Sequence, residues 1–367
     1  MKGFKESASL ILTARHMRRC VRSRPQVNVC NKFQYNYDLL CLKRQANSKF
    51  MPSKYVFPGG MIHSSDADLK WHNLYTTFGF DKNSFATLVP TVKTRPIIFN
   101  QRPNELPREI SLRISAIRET FEECGILLCR KSNDSGTYSD WAQNVEIPED
   151  EVQAWQKRVH NDATEFYSLC QNFGCYPDLW SLYEWSNWLT PTCYRSSRFD
   201  TVFYMACMQE PPETVCEASE IEDSKWDLPA NFIFANAGFA LAPPQQYEIA
   251  RIAKFESIDN LLDFAIDRTK RGVLQTLPVK ILLRNGSVYV LPGDSMYPKQ
   301  ANLFEEQIIN RENITIEQFQ GISPIKNRVE FYNCEIRKLF VQNFDNKDGH
   351  LAPMRLEDVR VIQNYQK

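Results

Sequence analysis

Three glutamates at helical spacing are the residues of this sequence best placed to do chemistry. Within residues 118–126, Glu119 lies three positions before Glu122 and four before Glu123. Residues three and four apart share one face of an α-helix, so this spacing predicts three carboxylates that project together. A cation relieves their mutual repulsion, and hard oxygen ligands suit Mg²⁺ or Mn²⁺. We therefore predict a divalent-metal site on these glutamates, with a solvated acidic helix face as the alternative.

A pair of glycines lies upstream of the glutamates. Residues 57–60 read Phe-Pro-Gly-Gly and end the short strand-like run 55–57. Because Gly59 and Gly60 have no Cβ, the backbone there can come close to a metal or a phosphate. Taken alone, the pair indicates an ordinary turn. Together with the glutamates, it predicts a bend that contributes to the same site.

The surrounding pattern predicts the elements that hold these residues. Between Leu106 and Leu128 the pattern is helical, with an apolar face at residues 110, 114, 117 and 121. Pro107 suits the first turn of this predicted helix, and Gly125 suits its end. Other regions have the short alternating or apolar runs of strands, and residues 245–265 have the spacing of one or two helices. The predicted strands are 7–13, 37–43, 55–57, 199–208 and 221–226, followed by a hairpin at 280–291 that turns at Asn285-Gly286.

Two regions are predicted to be insertions. Residues 66–108 combine helical spacing with a proline-punctuated loop, and residues 131–190 begin as a polar loop and continue with many aromatic residues. The aromatic residues at 180, 183, 185 and 188 are predicted to be the buried face of a helix packed on the sheet, with a substrate groove as the alternative. We predict one domain at 1–300 that includes both insertions, and a C-terminal extension at 301–367 packed on the same unit.

The composition excludes several classes of protein. Hydrophobic residues make up 43% of the chain and charged residues 24%, which is typical of a globular protein. The 44 basic and 44 acidic residues balance, so no nucleic-acid partner is expected, and no apolar run predicts a membrane span. The eleven cysteines include no CxxC pair, so they are predicted to be reduced and buried, without a zinc site.

The glycine bend and the glutamate helix together resemble the Nudix box, GX5EX7REUXEEXGU with U apolar. Two departures are clear: the first acidic position falls on Asp66, and residues 67–117 separate it from Arg118, where the usual box has seven residues. The coenzyme A diphosphatase branch of the Nudix hydrolases has such an insertion. The chain is similar to that branch through further runs, which are FMP at 50–52, WSNWLTP at 185–191, RFDT at 198–201, PPQQYE at 243–248 and LPGD at 291–294.

The resemblance implies a fold and a catalytic centre. The fold is α/β: a Nudix α/β/α sandwich with a mixed sheet, a helical insertion within the box and additional helices. Glu119, Glu122 and Glu123 would hold Mg²⁺ or Mn²⁺, and Arg118 would hold a box carboxylate. The proton acceptor would be Glu119 or a residue outside the box, for which Glu220 is our candidate, with a plain surface role as its alternative.

The resemblance also implies the substrate, a small molecule. Coenzyme A and acyl-coenzyme A would be cleaved to 3′,5′-ADP and 4′-phosphopantetheine or its acylated form. Cations for the 3′-phosphoadenosine end would come from residues near the glycine bend or near residue 198, and we rank Arg44 first. The predicted substrate contacts are Arg44, Gly59, Gly60, Arg198 and Gln245, with Lys43, Lys54 and Arg195 as further cations.

Two other functions stay open at this point. The chain could be a Nudix hydrolase for another dinucleotide such as NADH or an ADP-sugar, or a non-catalytic Nudix module that binds nucleotides or RNA. The intact glutamates and the balanced charge argue against the module. The resemblance implies a peroxisomal location, although the terminal residues 365–367 are not an SKL-type signal, so a cytosolic or mitochondrial location is also open. The oligomeric state is not predicted.

Overall fold

The computed structural model describes most of the chain. The described residues are 3–16, 34–131, 139–194, 197–234, 239–332, 335–346 and 348–354. The basic segment at 18–24, the candidate cation Arg195 and the terminal tripeptide at 365–367 lie outside them.

The described residues contain the strands and helices predicted around the glutamates, and several more. The strands are β1 (Lys5–Arg15), β2 (Tyr37–Arg44), β3 (Tyr55–Val56), β4 (Gly59–Met61), β5 (Cys129–Lys131), β6 (Cys175–Pro177), β7 (Tyr183–Leu189), β8 (Phe199–Met208), β9 (Ile221–Asp227), β10 (Gln275–Thr276), β11 (Val279–Leu283), β12 (Gly286–Val290), β13 (Ile308–Arg311), β14 (Lys326–Tyr332) and β15 (Glu335–Gln342). The α-helices are α1 (Lys70–Thr77), α2 (Lys82–Ala86), α3 (Arg108–Cys124), α4 (Glu149–Asn161), α5 (Glu165–Asn172), α6 (Pro229–Phe234), α7 (Pro243–Ile252), α8 (Ile258–Thr269) and α9 (Ile316–Ile322).

Strand β1 is the centre of a mixed sheet. It pairs in parallel with β8 and antiparallel with β4 near its start and with β2 near its end. The strand order is β10-β7-β8-β1-β2-β3, and β9 also pairs with β2. Leu10 and Leu12 of β1 pack into one core and Ile11 into another, so the strand is buried on both faces. A strand with apolar residues on both sides requires a layer on each face of its sheet.

Helices cover both faces of this sheet, as the predicted α/β/α sandwich requires. Buried residues of α1 to α5 form the core on one face, and buried residues of α6, α7 and α8 pack against the other. Helix α3 contacts β1 and β4, so the glutamate helix lies directly beside the glycine bend. Residues 66–108 supply α1 and α2 to the first layer, within the split box.

The aromatic residues at 183–188 lie on a strand, so the helix predicted for them is wrong. Strand β7 pairs antiparallel with β8, and an irregularity at Trp185 leaves that residue unpaired. Such a bulge changes the two-residue alternation of a strand, which is why Trp185 and Trp188, three apart, reach the same core. Both indole nitrogens donate hydrogen bonds to Glu248 of α7, at 2.9 and 2.7 Å.

The described residues also form a second large sheet, with strand order β13-β11-β12-β14-β15. Val329, Leu339 and Val341 of this sheet join the core that contains α7 and α8. The sheet takes strands from both sides of residue 300, and β7, from the end of the predicted insertion at 131–190, lies inside the first sheet. The division of the chain at residue 300 stays a prediction.

The cysteines of the described residues are free, and most are buried. The sulfur atoms of Cys129, Cys170 and Cys175 lie within 4.8 Å of one another. This cluster was not predicted from the sequence, because its members come from β5, α5 and β6 and do not have the spacing of metal ligands. No helix of the described residues is long and apolar enough to cross a membrane.

Candidate active site

Helix α3 carries the three glutamates and is itself almost entirely buried. It begins after Pro107, and its end is set by Gly125, whose φ of 73° is a left-handed conformation that glycine adopts without a steric penalty. Glu119 is the one residue of the helix that is not fully buried. The side chains of Glu119, Glu122 and Glu123 line one cavity, so the predicted cluster is present.

The guanidinium group of Arg118 joins two of these glutamates to Asp66. Its Nε and Nη2 atoms lie 2.8 and 2.9 Å from the two carboxylate oxygens of Asp66. Its Nη1 atom lies 2.9 Å from Glu119 Oε1 and also donates a hydrogen bond to Glu122 Oε1. A buried arginine held by three carboxylates has little freedom to move, so it fixes the positions of Glu119 and Glu122.

Asp66 joins the two parts of the box that the long insertion separates. It is 1% exposed and lies in the short 3₁₀ helix Ser64–Ala67, where its Oδ2 also accepts a hydrogen bond from the backbone N–H of His63. The two-point contact with Arg118 links the start of the insertion to the residue that follows it. The structure therefore places Asp66 beside the box helix, as a partner of Arg118.

The glycine bend lies against the carboxylates of α3. The backbone N–H of Gly59 donates to Glu123 Oε2 at 2.8 Å, which orients that carboxylate. A Cβ added at Gly60 would lie 2.1 Å from Glu119 Oε2. At Gly59, where φ is 147°, an added Cβ would lie 2.5 Å from the backbone of Ser9. The predicted close approach of this backbone to the site is therefore present, and both positions require glycine.

Burial and mutual repulsion make the cluster electrostatically unfavourable by itself. Burial, and to a lesser extent the charges of Glu122 and Asp66, raises the pKa of Glu119 to about 8, although Arg118 opposes the rise. Burial and the charge of Glu119 raise the pKa of Glu123 well above its usual range. Burial likewise raises the pKa of Glu122. Such a cluster gains stability from a cation among its oxygens.

The glutamates open into a cavity of about 1200 Å³. That volume exceeds the range of roughly 300–1,000 Å³ typical of ligand pockets, so the cavity can hold a large molecule. The end near α3 is charged, with the glutamates, Arg44, Lys49, Lys54, His63 and His160. Much of the remaining wall is apolar and aromatic.

Most of the predicted substrate contacts line this cavity. Arg44 is oriented by a hydrogen bond of 3.2 Å to the carbonyl oxygen of Phe50, and its Nη1 lies 3.6 Å from Glu123 Oε1. Glu220 lines the cavity from the turn before β9, and its charge contributes to the raised pKa of Glu123. Gln245 lines it from the first turn of α7.

Arg198 does not line the cavity, so the structure does not support it as a substrate contact. Its Nε donates to the carbonyl oxygen of Thr190 at 3.1 Å, and its guanidinium lies over the ring of Phe4. Thr190 and Phe199 line the cavity, but the side chain of Arg198 bonds to the Thr190 backbone and is not part of the cavity wall.

Two parts of the site were not predicted from the sequence. His160 of α4 places its Nδ1 3.8 Å from Glu122 Oε2, although it follows the glutamate by 38 positions and belongs to another helix. The apolar wall includes Tyr289, Leu291, Val329 and Phe331 from the region of the second sheet. Neither contribution has a local sequence signal, since both arise from how distant elements pack.

Comparisons with known proteins agree with this geometry. A family model described as the NUDT19 Nudix domain matches residues 4–252. The chain belongs to this Nudix family. It is 33% identical to the acyl-coenzyme A diphosphatase NUDT19 of Gallus gallus over 97% of the chain and 96% of that protein. The NUDT19 of Xenopus laevis is 32% identical, with 97% of each chain covered, and that of Homo sapiens is 33% identical over 77% of each.

The matched region contains both halves of the split box. Gly59, Gly60, Asp66 and the glutamates of α3 lie together in the structure despite the 51 residues at 67–117. The matched region ends at residue 252, the last residue of α7. Strands β10 to β15 follow that region, and Tyr289, Val329 and Phe331 of these strands contribute to the apolar wall of the cavity.

Proposed function

We propose that this Nudix protein hydrolyses the diphosphate linkage of coenzyme A and acyl-coenzyme A, releasing 3′,5′-ADP and 4′-phosphopantetheine or its acylated form. The carboxylate cluster of α3 against the glycine bend, at the charged end of one large cavity, carries this proposal. The relatives named acyl-coenzyme A diphosphatase, about one third identical over nearly the whole chain, support the choice of substrate.

The donor set fits a hard divalent cation. Glu119, Glu122 and Glu123 offer carboxylate oxygens, and their pKa values are raised first by burial and then by neighbouring carboxylates, effects that a bound cation would offset. We therefore propose Mg²⁺, or Mn²⁺ in its place, as the cofactor held by these three residues. When bound, the ion supplies positive charge that neutralises the diphosphate and activates water for attack at phosphorus.

The chain itself positions both the cofactor ligands and the substrate. Arg118, held by Asp66, fixes Glu119 and Glu122, and the Gly59 N–H fixes Glu123. Because the glycine backbone packs against these carboxylates, a diphosphate at the cluster would lie beside the bend. Arg44 supplies a cation at the cavity wall for the substrate phosphates.

A carboxylate accepts the proton of the attacking water, and two candidates line the cavity. Glu119 lies within the cluster, and Glu220 lies on the loop before β9, outside the box. Replacing Glu220 by glutamine, with Glu222→Gln two positions further along β9 as control, distinguishes them. If Glu220 is the base, its variant lowers kcat by about 10²–10⁴-fold without changing metal affinity. An unchanged kcat leaves Glu119 as the base.

The activity itself is tested by incubating the full chain with coenzyme A and Mg²⁺ and quantifying both products. We expect the Glu123→Gln variant to lower kcat by about 10³-fold or more, because several kcal/mol of transition-state stabilisation depend on the metal ligands. Glu149→Gln, an exposed position on α4, is the matched control and should keep the wild-type rate.

Other outcomes of the same assay would correct the proposal. Turnover of NADH or an ADP-sugar without turnover of coenzyme A would make the chain a Nudix pyrophosphatase for a different nucleotide. Binding of coenzyme A without cleavage of any of these substrates would make it a non-catalytic module.

We further propose a peroxisomal location, which rests on the resemblance of the chain to the coenzyme A diphosphatase branch. Imaging the chain with a fluorescent tag at either end, beside a peroxisomal marker, tests it. A diffuse cytosolic signal or a mitochondrial one with both tags would contradict it.

A further inference from the structure

Part of the cavity wall is built by residues that follow the matched Nudix region. Leu291, Val329 and Phe331 belong to the second sheet or to the turn after β12, and all three line the cavity. Leu291 and Val329 are buried, and the ring of Phe331 packs edge-on against Tyr289 with centroids 5.1 Å apart. This part of the wall is therefore apolar, and its side chains pack against neighbouring residues of the second sheet.

A second apolar surface lines the same cavity. Phe232 and Phe239 pack against each other with ring centroids 5.1 Å apart, and Leu241 follows them. These residues and the second-sheet wall belong to the same core. A cavity lined both by charged groups and by apolar surfaces suits a ligand that has an anionic part and an apolar part.

Gln245 adds a polar group to this cavity. The residue is 8% exposed, and its Oε1 atom is buried without a hydrogen-bond partner among the described residues. A buried acceptor of this kind costs free energy unless a ligand supplies a donor. The pantetheine arm of coenzyme A carries amide N–H groups between its phosphate and its thiol, and such a group would satisfy Gln245.

We propose that the second sheet forms the acyl-chain site of this enzyme. The diphosphate lies at α3, a pantetheine amide donates to Gln245, and the acyl chain packs against Leu291, Val329 and Phe331. The inference rests on the proposed diphosphatase function and deepens it by giving the acyl chain a binding site: thioesters with long apolar chains gain contacts that free coenzyme A lacks. The strands that follow the Nudix region thus determine substrate preference.

The test compares kcat/KM for dodecanoyl-coenzyme A with kcat/KM for free coenzyme A in the full chain. Phe331→Ala and Val329→Ala should lower this ratio on the order of 10-fold, since a few methylene contacts in an apolar pocket have that effect. Phe340→Ala and Val288→Ala are matched controls on the same sheet, because neither residue lines the cavity, and they should keep the wild-type ratio. Thermal unfolding of all four variants identifies any that fail to fold.

Binding measured without metal separates this inference from the proposed activity. By calorimetry in EDTA, wild type should bind dodecanoyl-coenzyme A more tightly than coenzyme A, and Phe331→Ala should remove most of that difference. Gln245→Leu should weaken binding of coenzyme A about 10-fold while leaving 3′,5′-ADP unaffected, because only coenzyme A has the amide.

Each result has a distinct meaning. A wild-type enzyme that cleaves neither compound contradicts the proposed function, whatever the binding data show. An enzyme that cleaves both, with a ratio unmoved by Phe331→Ala and Val329→Ala, or moved equally by Phe340→Ala, overturns the acyl site.

Discussion

At Gly60 the backbone passes so close to the carboxylate of Glu119 that a methyl group would overlap it. Gly60→Ala should therefore displace that carboxylate and lower kcat about 10²-fold, because misplacement of a catalytic group by about 1 Å has effects of this size. Coenzyme A turnover measures the loss, and Gly321→Ala, at an open position on α9, is the control. Unchanged turnover in Gly60→Ala would mean that the position of Glu119 is not critical.

Asp66 and Arg118 form a buried ion pair that crosses the insertion. Asp66→Asn should lower the free energy of unfolding by about 3–5 kcal/mol, the usual effect of removing one partner of a buried pair. Chemical denaturation measures this change, and Asp68→Asn, an exposed aspartate two residues later, should have little effect. Equal stability of Asp66→Asn and wild type would show that Glu119 and Glu122 suffice to balance Arg118.

The sequence predicted the cluster of Glu119, Glu122 and Glu123 because their spacing within one helix determines their shared face. It also predicted the glycine bend, since the absence of a Cβ can be read directly from the residue type. It did not predict the direction of the Arg198 side chain or the approach of His160 to Glu122. Both depend on which distant element lies nearby, and nothing in the local pattern carries that information.

Helix α7 and strand β7 are joined by Glu248, which accepts both tryptophan indole N–H groups and pairs with Arg251 at 3.2 Å. Glu248→Gln leaves the Arg251 charge without its partner and supplies only one acceptor oxygen. We expect the free energy of unfolding to fall by about 3–5 kcal/mol. Denaturation of this variant beside Glu256→Gln, an exposed control, measures the effect. A loss below about 1 kcal/mol would contradict it.

Asp200 of β8 joins its neighbouring strands, accepting hydrogen bonds from Asn187 of β7 at 2.7 Å and Gln275 of β10 at 3.1 Å. Burial raises its pKa to about 6. A carboxyl with a raised folded-state pKa stabilises the fold fully below its unfolded pKa of about 4, and this stabilisation is lost as the pH rises through about 6.

Raising the pH from 5 to 7.5 should therefore lower the free energy of unfolding of the wild type by about 1 kcal/mol more than that of Asp200→Asn, because the variant has no carboxyl proton to lose. Denaturation curves at the two pH values measure this difference. Identical pH dependence of the two proteins would show that Asp200 is not protonated in the fold at pH 5.

Strands were easier to predict from the sequence where a single alternation continued than where it was interrupted. The runs that became β1, β2 and β8 were predicted because their apolar residues are continuous or alternate. In β7 the aromatic residues stand at sequence spacings of two and three, which resemble the spacing of a helix face. The bulge at Trp185 is what allows a strand to have this pattern. The bulge arises from the pairing of β7 with β8, so the sequence of β7 alone does not predict it.

The whole molecule should respond to the cofactor, because the metal-free site holds repelling carboxylates in its interior. We expect Mg²⁺ at 100 times its dissociation constant to stabilise the fold by about 2.7 kcal/mol and to raise Tm by several degrees. The double variant Glu119→Gln, Glu123→Gln should lose this response. Thermal unfolding with and without Mg²⁺ measures both, and an equal rise of Tm in the double variant would place the ion elsewhere.

The second sheet has a consequence for the order in which the enzyme becomes complete during synthesis. Its strand β14 begins at Lys326, 202 positions after the last residue of α3. A ribosome therefore releases the residues of the glutamate cluster long before those that close the apolar side of the cavity. We expect a nascent chain stalled near residue 300 to lack an enclosed pocket for its substrate, so activity begins only when translation is nearly finished.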